Sequence, residues 1–278
     1  KSNTIDCIMS SKSFPNECCK RTPHLIFILD RSGSMSGRAS SMVNAINILL
    51  EQQKKTIDNT IVTLVTFSAP ILDNQSHIEY VFEKTPLANV PYMTYQQYQC
   101  GGGTALFDTI KEVLVKYKDN PDTLVCIVTD GQDLDSVNTT DQEMKACIQE
   151  RKRTNPISGI DEGWKFIYLC TDISSVQSAA NVGITRRGES STQSAAVDPE
   201  KLGSVLTRQI SRACSEYREV GEVSDLSNTL EDLSLDEEKS HKDVISIEDR
   251  LSSLPSFSSV RPKKGQMFRS LTESKKRR

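Results

Sequence analysis

The chain has 278 residues, a formal net charge of −3 and 36% hydrophobic residues. This length suits one large domain with tails or two small domains, and the modest apolar share suits a normal core diluted by polar tails. The near-neutral charge disfavours a general nucleic-acid-binding protein, and no apolar stretch approaches the roughly 20 residues that a bilayer span needs.

Polar sequence gives way to apolar sequence at residue 24. We interpret residues 1–22 as a polar arm outside the folded domain. The apolar run from His24 to Leu29 is followed directly by Asp30. Such a continuous run is typical of a strand that is buried on both faces. Strands and helices then alternate along the chain. The predicted strands are 61–67, 78–82 (at a sheet edge), 123–129 and 164–169, and the predicted helices are 42–55, 106–117, 144–153, 176–182 and 202–214.

This alternation predicts an α/β fold: a doubly wound, mostly parallel sheet flanked by helices, as in Rossmann-like domains. We expect the domain to cover about residues 23–215. The remainder, 216–278, is Ser-rich and changes from acidic over 216–250 to basic over 261–278. A sequence of this composition predicts a disordered tail.

Oxygen-bearing side chains follow the predicted strands at one edge of the sheet, where ligands of open α/β sheets bind. Two carboxylates and three hydroxyls are hard oxygen ligands, which suit Mg²⁺ or Mn²⁺, with Ca²⁺ as a third candidate, rather than zinc. Only two of the ligands carry charge, so a carboxylate from another protein could complete the coordination shell. The predicted ligands are Asp30, Ser32, Ser34, Thr104 and Asp130.

The order and spacing of these residues resemble the metal-ion-dependent adhesion site (MIDAS) of von Willebrand factor A (VWFA) domains. The resemblance covers about residues 24–214. It is strongest to the stand-alone, intracellular VWFA proteins of bacteria, phages and large DNA viruses, whose sequences are similar over Ile28–Gly37, Thr129–Gly131 and Gly163–Leu169. One departure is the long glycine-rich entry that begins at Cys100 and precedes the threonine ligand.

The resemblance implies a role for each predicted ligand. Ser32 and Ser34 would bind the metal through their hydroxyls, and Asp30 and Asp130 would act largely through bound water. Thr104 would switch between direct and water-mediated contact when a partner arrives. Three further acidic residues near this edge could tune the site, but we interpret them first as solvated loop carboxylates: Asp108, Asp133 and Asp135.

We therefore predict a non-enzymatic protein-binding module that holds a divalent cation and engages an Asp or Glu of a partner protein. Two alternatives stay open. The first is a metal-assisted phosphohydrolase, although Ser32 stands where the second aspartate, the general acid of such enzymes, would be needed. The second is a scaffold that binds through its charged tail.

Cysteine usage and the chain termini bear on the compartment. The eight cysteines form no CxxC pair, and no signal peptide opens the sequence. The cysteine usage leads us to expect reduced cysteines and a cytoplasmic protein, whereas the chain begins at Lys1 rather than Met, so a preceding segment could have been removed. The basic end at Lys275–Arg278 would also suit nuclear import or a contact with an anionic partner, but we interpret it first as a solvated tail. Because no aromatic residues are interleaved with the basic ones, any contact with single-stranded nucleic acid would be weak.

Overall fold

The computed structural model describes residues 21–56, 58–70, 77–152, 163–184 and 192–223. All of them belong to the first of the two units into which the chain divides, Lys1–Leu235. Most of the predicted arm and the predicted tail from residue 224 onward lie outside the described residues. Within the described ranges, no helix combines the length and the apolar character that crossing a bilayer requires.

A six-stranded sheet forms the centre of the described structure and confirms the predicted α/β fold. Its spatial order is β3-β2-β1-β4-β5-β6, and every neighbouring pair is parallel except β2 with β3. The strand order therefore reverses between β1 and β4, which is where open α/β sheets bind ligands. The strands are β1 (His24–Asp30), β2 (Ile61–Phe67), β3 (Ile78–Pro86), β4 (Thr123–Val128), β5 (Lys165–Cys170) and β6 (Thr192–Ala196).

Helices cover both faces of the sheet. One apolar cluster joins the sheet to α1, α5 and α6, and a second joins it to α2, α3 and α4. The helices are α1 (Ala39–Gln53), α2 (Leu106–Lys116), α3 (Asp141–Arg151), α4 (Ile173–Asn181), α5 (Leu202–Val205) and α6 (Ser211–Val220). Short 3₁₀ helices span Gly33–Arg38, Leu87–Asn89 and Tyr95–Gln97, and a π-helical turn, Leu206–Ile210, joins α5 to α6.

The central strand β1 is apolar at successive positions, without the alternation of apolar and polar residues seen in strands with one exposed face. Successive side chains of a strand point to opposite faces of the sheet. Leu25, Phe27 and Leu29 belong to the first cluster, and Ile26 and Ile28 belong to the second. Because helices cover both faces, every residue of β1 is buried.

Several bounds shift by a few residues, and two elements differ most from the sequence-based expectation. Strand β6 was not predicted, because its sequence, Thr-Gln-Ser-Ala-Ala, has only one β-branched residue and no large apolar one. The last helix, predicted to end at Cys214, continues to Val220 and is followed by Gly221 in a left-handed conformation with φ of 82°. Glycine adopts this conformation readily, since it has no Cβ. The added turns bury Tyr217, whose hydroxyl donates a hydrogen bond to Asp122.

Candidate metal centre

The two predicted carboxylate ligands lie at the point where the strand order reverses. Asp30 is the last residue of β1, and Asp130 follows β4 by two residues. Because β1 and β4 are parallel neighbours, with Leu29 opposite Val128, both carboxylates come to the same edge of the sheet. The fold therefore brings together two acidic residues that are 100 positions apart in the sequence.

A continuous chain of contacts connects these two carboxylates through the serine loop. The backbone N–H of Ser32 donates to Asp30 Oδ1 at 2.7 Å. The Ser32 and Ser34 hydroxyl oxygens lie 3.0 Å apart, and the Ser34 hydroxyl donates to Asp130 Oδ1 at 2.6 Å. These contacts therefore link four of the five predicted ligands in one chain.

The fifth predicted ligand, Thr104, is held at this edge through its backbone. Its loop lies beside the serine loop, because Gly33 N–H donates to the Gly102 carbonyl at 3.0 Å. Gly102 has φ of 74°, a conformation that favours glycine. The N–H of Thr104 donates to Asp135 Oδ2 at 2.7 Å, which fixes the start of the segment that leads into α2.

Asp30 is fully buried, so its carboxylate depends on nearby hydrogen-bond donors. The hydroxyl of Thr129 donates to Asp30 Oδ2 at 2.6 Å, and the Tyr98 hydroxyl donates to the Asp30 carbonyl. Burial raises the pKa of Asp30 above its ordinary value, and the hydrogen bonds from Thr129 and Ser32 oppose that rise. These donors fix the orientation of the Asp30 carboxylate.

Asp130 has a positively charged neighbour. Arg38 Nη1 donates to Asp130 Oδ2 at 2.8 Å and lies 3.4 Å from the carbonyl oxygen of Ser34. The Asp130 side chain is only 5% exposed and that of Arg38 is 29% exposed. One carboxylate oxygen of Asp130 therefore accepts from the Ser34 hydroxyl and the other from a guanidinium group.

Sequence reasoning did not select Arg38 or Thr129. Both carry a local signal: Arg38 lies four residues after Ser34 and so about one helical turn away, and Thr129 immediately precedes Asp130. Neither signal is specific without the fold, because both contacts join segments that are distant in the sequence.

The interpretation of the further acidic residues as solvated loop carboxylates is wrong for Asp108 and Asp133. Asp133 Oδ1 accepts hydrogen bonds from the backbone N–H groups of Leu106 and Phe107 at the start of α2. Asp108 is 8% exposed and accepts from the N–H of Val137 at 2.9 Å. Asp133 thus supplies an acceptor to N–H groups that have no partner within the helix at the N-terminus of α2, and Asp108 holds the loop at Val137.

The donor set fits a hard divalent cation. In the part of the chain that the structure describes, no group of three or more His, Cys, Asp or Glu side chains could hold a metal. The predicted site is of another kind, since hydroxyls supply three of its five donors. Carboxylate and hydroxyl oxygens that meet at one sheet edge suit Mg²⁺ or Mn²⁺. His24, at the opposite end of β1, is about 20 Å from Asp30 along the strand.

Comparisons with known proteins agree with this fold. A family model described as "VWA domain containing CoxE-like protein" matches residues 13–162, which is more than half of the chain. No curated protein matches the sequence.

Several solved structures are similar at low sequence identity. The von Willebrand factor type A protein from Catenulispora acidiphila is 14% identical, with 69% of this chain and 42% of that chain covered and a TM-score of 0.44. The ArnB paralog VWA2 from Sulfolobus acidocaldarius is 16% identical, with 67% and 44% covered and a TM-score of 0.42. The PilB minor pilin from Streptococcus sanguinis is 13% identical, with 72% and 62% covered and a TM-score of 0.48. This chain therefore spans less than two thirds of the length of each of these structures.

Proposed function

The chain belongs to the family of VWA domain containing CoxE-like proteins, and on this premise we propose that it binds a partner protein through a divalent cation. VWA domains typically bind other proteins and often bind divalent cations through a MIDAS. The observation that supports the proposal most directly is the chain of contacts from Asp30 through Ser32 and Ser34 to Asp130. It brings the oxygen donors of two separate strand ends to one place.

The proposed ligands leave room for a partner. Mg²⁺ keeps several coordination positions for water or a substrate when a protein supplies few charged ligands. When bound, the cation would supply a positive centre that a carboxylate of the partner can approach. We propose no catalytic step, because Ser32 stands where a phosphohydrolase would need a second aspartate. The cytoplasmic location expected from the sequence stays a prediction. The proposed ligands are Asp30, Ser32, Ser34, Thr104 and Asp130.

The surface beside the proposed site favours a protein as the partner. Leu134 and Ile173 are each 78% exposed. The N–H of Leu134 donates to the Thr104 carbonyl at 3.3 Å, and the Gln132 side chain in the same loop donates to Ser174 at the start of α4. These two exposed apolar side chains offer area that a partner protein could bury.

Isothermal titration calorimetry with Mg²⁺ or Mn²⁺ tests the metal site. We expect the full chain to bind the cation and the double variant Asp30→Ala/Asp130→Ala to lose binding. Asp119→Ala is a matched control, because Asp119 is an exposed aspartate between α2 and β4, away from this edge. An absence of heat with the wild-type chain, or equal binding by the double variant, would contradict the proposal.

Partner capture in Mg²⁺ and in EDTA tests the second half of the proposal. We expect the partner to be recovered with Mg²⁺ and lost with EDTA. The variant Leu134→Ser/Ile173→Ser should reduce recovery and leave the cation affinity unchanged. Equal recovery in Mg²⁺ and EDTA would exclude metal-bridged binding. A phosphatase activity that disappears in Asp30→Asn would instead favour the phosphohydrolase alternative.

A further inference from the structure

The contact between Arg38 and Asp130 places a built-in positive charge against a proposed metal ligand. The guanidinium donates to Asp130 Oδ2 at 2.8 Å, and the Asp130 side chain is almost fully buried. A divalent cation at the proposed site would draw on the same carboxylate, either directly or through a bound water. Two positive groups that approach this one buried carboxylate repel each other and compete for its negative charge.

We propose that Arg38 sets the cation affinity of this site by competing with the metal for the Asp130 carboxylate. This inference rests on the proposed function, since it concerns the same site. Arg38 is suited to the role by its position. It ends the 3₁₀ helix that begins at Gly33, so the loop that carries the serine ligands also carries the competing charge.

The charge balance gives the competition a consequence for partner binding. Asp30, Asp130 and Arg38 together carry one negative charge when both carboxylates are ionised. A divalent cation changes the sum to one positive charge. A site with this residual charge attracts a carboxylate more strongly than a neutral site does, so Arg38 weakens cation binding and favours capture of an acidic partner.

A second arginine on the same loop offers a matched control. The Arg31 side chain donates to the Gln99 carbonyl at 3.3 Å and lies 3.9 Å from Glu79, so its contacts are directed away from Asp130. Replacing Arg31 with Gln removes one positive charge from the loop and keeps the Arg38–Asp130 pair. Comparison of the two variants separates direct competition from the general effect of charge.

Calorimetric titration of the full chain with Mg²⁺ tests the proposal. We expect Arg38→Gln to bind Mg²⁺ about tenfold more tightly than the wild-type chain, which corresponds to about 1.4 kcal/mol. Arg31→Gln should stay within about twofold of the wild type, because it removes no ligand contact. Arg38→Lys, which keeps the charge on a flexible side chain, should lie between the wild type and Arg38→Gln.

Thermal unfolding supplies a second measurement and checks that each variant folds. In EDTA, Arg38→Gln should melt below the wild type, because Asp130 loses its charged partner, and saturating Mg²⁺ should remove this difference. Equal Mg²⁺ affinity of the wild type and Arg38→Gln would overturn the role of Arg38 alone. An equal gain from Arg31→Gln would also overturn it. An absence of Mg²⁺ binding in all variants would overturn both this inference and the proposed metal site.

Discussion

His24 should make the stability of the domain depend on pH independently of the metal site. Its Nε2 lies 2.8 Å from the Thr63 hydroxyl oxygen, and its Nδ1 lies 2.8 Å from Asn120 Nδ2. Because the Asn120 amide donates to Nδ1, the ring is neutral, with its proton on Nε2. Burial, together with the positive charge of Lys84, lowers the pKa of His24 from 6.5 to about 4.

The direction and size of the effect follow from this pKa. Between pH 6.5 and about 4 the unfolded chain binds a proton at this histidine and the folded chain does not, so stability falls as the pH falls. The stability that comes from keeping His24 neutral is fully present above pH 6.5 and is lost by about pH 4. Since one pKa unit corresponds to about 1.4 kcal/mol, the loss is on the order of 3 kcal/mol.

Urea unfolding in EDTA across this pH range measures the effect. The variant His24→Gln keeps an amide that can donate and accept at this position but does not titrate. Between pH 6.5 and about 4, the free energy of unfolding of this variant should therefore fall less than that of the wild type. The difference between the two decreases should be about 3 kcal/mol. His77→Gln, which removes the histidine beside Glu112, serves as the control. If His24→Gln and the wild type lose stability in parallel, the argument from the buried neutral ring is wrong.

Two further substitutions test the loops around the proposed metal site. In Gly103→Ala, the new Cβ would lie 2.1 Å from Asp135 Oδ2. It would therefore displace this carboxylate from the backbone N–H of Thr104, which donates a hydrogen bond to it. We expect weaker Mg²⁺ binding in calorimetry. Gly131→Ala, whose Cβ meets no atom within 4 Å, should bind as the wild type does, and equal binding by both variants would contradict the reasoning. Thr129→Val removes the hydroxyl that donates to Asp30 and should lower the free energy of unfolding in urea by about 1.5–3 kcal/mol, whereas an unchanged midpoint would show that this hydrogen bond contributes nothing.

Most of the secondary structure could be predicted from the sequence, because most of the strands and helices have a strong local pattern of apolar residues. The apolar run that ends at Asp30 predicts a strand, and the structure has it over His24–Asp30. The strand predicted over 61–67 has the same bounds in the structure. Strand β6 has no such pattern: its residues are small or polar and become buried only through pairing with β5 and packing of the neighbouring helices.

The sequence by itself determined the α/β fold class and the set of residues for the proposed metal site. It could do so because buried parallel strands need continuous apolar runs, and oxygen ligands that follow such runs share one sheet edge. Only the tertiary structure decided what surrounds those residues. The hydrogen bond from Thr129 to Asp30 and the ion pair between Arg38 and Asp130 each join segments more than 90 positions apart. Such contacts depend on the pairing of β1 with β4, which no local pattern encodes.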